Sequence, residues 1–128
     1  MTHTTPQLKA AADAAIDMLL RELPGVKAAV IATEDGFELA GRASDAQPLS
    51  RLSAMASSLS ALGALAAAEG QMGACDNVCI EMTQGHLLMV RARHAELDLI
   101  VCIVAGRNAV FGQVLYMAKR AAGALREA

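Results

Sequence analysis

Residues Leu49–Gly70 read LSRLSAMASSLSALGALAAAEG, and between Arg51 and Glu69 this stretch carries no charge. At about 100° per residue it forms a helix with Leu52, Met55, Ala56, Leu59, Leu62 and Ala66 on one side, the expected core side. The opposite side holds Ser50, Ala54, Ser57, Ala61 and Ala64, a strip of small residues with no Lys or Glu to meet water. A helix that lacks a charged face is covered on both sides. One side is expected to pack on the chain's own sheet. The small strip is expected to let a second helix approach closely. A binding face is therefore the first functional expectation, ahead of any chemistry.

Upstream, Thr4 or Thr5 before Pro6 marks a helix start. Leu8, Ala12, Ala15, Ile16, Leu19, Leu20 and Leu23 then recur at three- and four-residue steps until Pro24-Gly25 ends the run. Val26–Thr33 and Phe37–Gly41 flank an Asp-Gly step, a strong hairpin signal. Residues 42–48 form a polar loop leading into the charge-free helix.

Downstream, Asn77–Thr83, His86–Arg93 and Leu97–Ala105 are predicted strands joined by short turns. In the first of these, Val78, Ile80 and Met82 alternate with polar positions. The third, LDLIVCIVA, is apolar almost throughout and belongs at the sheet centre, buried on both faces. Residues 110–128 form the last helix, with Phe111, Val114, Leu115, Ala118, Ala121, Ala122 and Leu125 on its inner side. The order is α-β-β-α-β-β-β-α. Connections this short exclude parallel crossovers within the strand groups, so the class is α+β with a mainly antiparallel sheet. Helices are expected on both faces of it.

At 128 residues the expectation is one domain over 1–128. Hydrophobic residues make up 55 % and charged ones 19 %, an apolar excess that a small domain spends on a partner surface. The net charge of −2, the absence of a basic run and only three aromatic rings speak against nucleic-acid binding. Leu52–Ala68 is marginal in length for a membrane span and is interrupted by serines and Gly63, so no membrane insertion is expected. The opening MTHTTPQLKAAADAA lacks the order of a signal peptide, and three cysteines are an odd number. The expected compartment is the cytoplasm, with reduced thiols.

Three stretches resemble the Roadblock/dynein light chain family: LPGVKAAVIATEDGFELA, RLSAMASSLSALGALA and VCIEMTQGHLLMVRA. The tail LDLIVCIVAGRNAVFGQVLYMAKRAAGAL, with an early Gly112, is similar to the family's buried strand and final helix. The resemblance implies a Roadblock-like, profilin-like fold: a five-stranded antiparallel sheet with one helix on one face and two on the other. It also implies a homodimer in which the central helices pack together and the third strands join into one sheet. On that basis the dimer or partner interface comprises Ser50, Ser53, Ala54, Ser57, Ala61, Ala64, Val78, Ile80 and Met82. The resemblance further implies a non-enzymatic adaptor or regulator of a small Ras-like GTPase, the gliding-motility type acting as an activator. Arg51, Ser53, Ser57 and Ser60 would supply the rim that meets the GTPase, with Arg42 in the preceding loop as a further contact. A structural subunit that binds other Roadblock-like chains independently of nucleotide is the alternative.

The residues that invite other chemistry do not form a site. Cys75 and Cys79, with Cys102, His86 and His94, offer one C-x3-C and no second ligand pair, so no metal is expected. The serines of the central helix have no neighbouring base, which a nucleophile requires. Gly70, Gly73, Gly106 and Gly112 form no phosphate-binding loop. No catalytic residue and no cofactor are expected. The methionines are read mostly as core filler, with Met55 bordering the binding face.

Overall fold

The computed structural model describes residues 5–44 and 48–128. Its elements are α1 (Pro6–Glu22), β1 (Val26–Thr33), β2 (Glu38–Ala43), α2 (Leu49–Gly70), β3 (Asn77–Met82), β4 (Gly85–Arg93), β5 (Asp98–Gly106) and α3 (Phe111–Arg126). Thr5 is the cap of α1, its Oγ1 accepting from Leu8 N at 3.1 Å, and Pro6 opens the helix. Thr4 and residues 45–47 of the expected loop lie outside the described residues.

The sheet order is β2-β1-β5-β4-β3, with every neighbouring pair antiparallel. β5 occupies the centre, as its apolar run requires. Leu99, Val101 and Ile103 face one side of the sheet, while Ile100 and Cys102 face the other. On the first side, α1 and α3 close the larger core with Leu8, Ile16, Leu19, Val114 and Leu125. On the second, α2 covers a smaller core through Leu52 and Ala56 over Ala28, Val30, Leu87 and Met89. The predicted fold class and division of helices are the observed ones.

Three local readings change. β2 runs on to Ala43, so Arg42 lies in a strand and not in the loop. β2 starts at Glu38 and not at Phe37, and the predicted hairpin turns through Gly36 at φ +93°, where Thr33 Oγ1 accepts from Phe37 N at 3.1 Å. In α3, Met117 is buried and Phe111 is not. Phe111 starts the helix beyond the core edge and meets the His86 ring edge-on, with centroids 5.1 Å apart.

Candidate functional site

The side of α2 that meets the sheet is Leu52, Ser53, Ala56, Ser60 and Gly63. Small residues are needed there because the helix lies close on β3. A side chain at position 63 would place its Cβ 2.8 Å from Cys75 Sγ and 3.3 Å from Val78 Cγ2. Ser53 is fully buried on this side, and its Oγ donates to Leu49 O at 2.9 Å. That removes Ser53 from any outward interface. With so few large apolar residues under α2, polar contacts help to hold it. Arg91 of β4, 13 % exposed, donates from Nη2 to Ser60 O at 2.7 Å and from Nη1 to Glu34 Oε1 at 3.1 Å. Ser60 Oγ donates to the same Glu34 oxygen at 3.4 Å.

The small strip also differs from expectation. Ser57 Oγ donates to Glu34 O, and a Cβ at Gly36 would lie 3.6 Å from Ser57 Cβ and 3.8 Å from Ala54 Cα. The turn after β1 therefore rests on this flank, and small side chains let it. Ser50, Ala54, Ala61 and Ala64 remain exposed.

The opposite flank is the apolar one. Met55, Leu62 and Ala66, expected in the core, are exposed, as is Leu65, with Leu62 at 60 % and Leu65 at 64 %. Their helical phase turns Met55 and Leu62 toward β3. There Met55 shares a groove with Arg51, Leu52, Met82, Leu87 and Val104. On β3, Val78 is half-buried against α2, whereas Ile80 and Met82 are exposed. β3 is an edge strand paired only to β4. An apolar helix flank thus runs into an open sheet edge, a combination that water penalises and a partner relieves. Taken by length and composition, α2 could cross a membrane, with 28 % of its most apolar window buried. Its seat on the sheet and the Arg91 clamp fit a protein partner better.

Arg42 and Arg51 are not brought together. Arg42 shares the α1 face of β2 and pairs with Asp17 of α1, while Arg51 lies in the first turn of α2 beside the groove. Cys79 is exposed on β3, and Cys102 is buried, which pushes its thiol up to about 12. Met72, like Met55 and Met82, is exposed and not core filler. Among the described residues no His, Cys, Asp or Glu cluster could hold a metal ion.

The Arg91–Glu34 link was not foreseen from the sequence. Its signal was there: Leu87, Met89 and Arg91 share one face of β4, so a guanidinium falls where the pattern calls for an apolar side chain.

Residues 13–104 match the Roadblock/LC7 domain family. No curated protein matches the chain. Among solved structures, the fold is similar to a Roadblock/LC7 domain from Streptomyces avermitilis. That domain is 23 % identical over 90 % of this chain and 94 % of its own, with a TM-score of 0.80. Gliding protein MglB from Thermus thermophilus is 20 % identical over 97 % and 92 %, with a TM-score of 0.84. An MglB described as having a tetrameric arrangement is 21 % identical over 99 % and 93 %, again with a TM-score of 0.84. Identities this low bear on the fold alone.

Proposed function

The chain belongs to the Roadblock/LC7 domain family, and on that premise we propose that it is a non-catalytic homodimeric adaptor that binds a small Ras-like GTPase. The observation that carries this reading is the exposed apolar set Met55, Leu62, Leu65, Ile80 and Met82, adjoining the unpaired β3 edge. Two copies related by a two-fold axis would pair β3 with β3 and bury both flanks, since a two-fold contact is self-complementary. Main-chain hydrogen bonds would supply register and the apolar side chains most of the free energy. The paired α2 helices would then offer one broad surface to the GTPase, with Arg51 at its rim. Arg42, tied to Asp17 on the other face, has no part in that surface. The proposed setting is the cytoplasm, where an exposed thiol such as Cys79 stays reduced.

The test is capture of GTPases from the native host by the tagged protein, in parallel with a GTP analogue and with GDP. Enrichment of a small GTPase in the triphosphate state supports a regulator. Equal recovery in both states, or no GTPase at all, contradicts it. The second reading, a nucleotide-independent assembly subunit, draws on the tetrameric arrangement of the MglB neighbour. It predicts recovery of Roadblock-like chains in either nucleotide state.

A further inference from the structure

On the side of the sheet away from α2, α1 and α3 cover β2, β1, β5 and β4, and neither reaches β3. β3 is therefore bare on this side. Val78 faces α2, so Asn77, Cys79 and Glu81 face the uncovered side. They sit opposite Val90, Leu88 and His86 of β4. The result is a trough one strand wide, floored by β3 and walled by α3. Strands lie about 4.8 Å apart and a helix is about 10 Å across, so the β3-to-β3 pairing proposed above would give a floor two strands wide that fits one further helix.

One end of the trough is rich in cations, and the other holds a single one. At one end Arg93, Lys119 and Arg126 converge around Asp76. At the other, Arg107 stands with Glu81, Phe111 and His86. Among the described residues the ion pairs are Lys9–Asp13, Arg42–Asp17 and Arg91–Glu34, and none involves these four cations. His86 adds an independent sign of a missing ligand: it is 8 % exposed, and its Nε2 has no hydrogen-bond partner.

We infer that this trough docks an acidic amphipathic helix of a protein partner, its carboxylates on Arg93, Lys119 and Arg126 and its apolar side beside Phe111 and Cys79. Arginine clusters recognise acidic segments through charge-assisted, often bidentate hydrogen bonds. Asp76 and Glu81 in the same trough oppose a uniform polyanion, so the trough suits mixed protein chemistry better than nucleic acid. The site lies across the sheet from the α2 flank; its width rests on the β3-to-β3 pairing proposed above, which the solution mass tests separately, and it does not depend on a GTPase.

The probe is a fluorescein-labelled Glu/Leu amphipathic peptide of about 14 residues, enough to span a trough of about 20 Å as a helix. Binding is read by anisotropy at about 50 and about 300 mM NaCl. Saturable binding should weaken with salt and fall about tenfold in the Arg93→Glu/Lys119→Glu/Arg126→Glu variant. Arg120→Glu, on the outward face of α3, should change it less than about twofold, and Asp76→Asn should tighten it. All of these positions are exposed, so circular dichroism should show the fold unchanged. Affinity that survives the triple charge reversal, or an equal loss in Arg120→Glu, overturns the assignment. So does tighter binding of duplex DNA or of anionic lipid vesicles than of the peptide.

Discussion

Replacing Arg91 separates the two ways in which it can hold α2. In Arg91→Ala the side chain loses its buried stem and both guanidinium contacts. The two buried methylenes beyond Cβ are worth about 1.6 kcal/mol at about 0.8 kcal/mol each. The Glu34 contact adds little, because Glu34 is 41 % exposed and rehydrates once released. Ser60 O belongs to the helix ladder of α2, so it is not orphaned. The native guanidinium already bears a cost, since its Nε is buried without a partner. The sum is a loss of about 1.5–2 kcal/mol for Arg91→Ala. Arg91→Met keeps the stem volume and removes the buried charge, so it should stay within about 1 kcal/mol of the parent. Urea denaturation with a common m-value measures both, and amide exchange across α2 shows whether the loss is local. A loss above about 3 kcal/mol in Arg91→Met would refute the reasoning, because it would mean that the charge itself, and not its stem, secures the helix.

Two further predictions concern the underside of α2 and the centre of the sheet. Gly63→Ala gains about 1 kcal/mol of helix propensity, yet its Cβ would sit 2.8 Å from Cys75 Sγ. The variant should lose about 1–2 kcal/mol net, and adding Cys75→Ala should recover at least half of that in denaturant titrations. Burial holds the Cys102 thiol protonated up to about 12, against 9.0 for a free thiol. The unfolded chain therefore gives up this proton first, and stability falls as pH rises from about 9 toward about 12. The fall is on the order of 1 kcal/mol at pH 10, and Cys102→Ala should flatten the pH dependence accordingly. In the native state a thiol reagent should modify the exposed Cys79 and spare Cys102 until unfolding.

The fold was legible because its main signals are strong. An apolar run such as LDLIVCIVA fits one place in an antiparallel sheet, and Pro24-Gly25 and Asp35-Gly36 punctuate the chain where it turns. The orientation of α2 was not legible. Periodicity points a helix by the contrast between its faces, and a segment built from Ala, Ser, Leu and Gly has little contrast. Side-chain size then becomes the remaining cue, and it points Met55 and Leu62 inwards. One constraint is the close approach to Cys75 and Val78, which requires Gly63 beneath the helix, and Ser53 and Ser60 are buried beside it. The Arg91–Glu34 pair joins residues 57 positions apart, a distance over which no local pattern speaks. Phe111 shares the phase of the inner face yet lies outside the core, because phase along a helix does not tell where the core beneath it ends.

The central claim is that the α2 flank and the β3 edge form a self-complementary interface. Its most direct test is the solution mass, by light scattering, of the parent chain and of the Leu62→Glu/Leu65→Glu variant. The 13.3 kDa chain should elute at about twice its own mass. The variant, altered only at exposed positions, should elute as a folded monomer. A monomeric parent, or a variant that keeps the parent's mass while folded, would contradict the account.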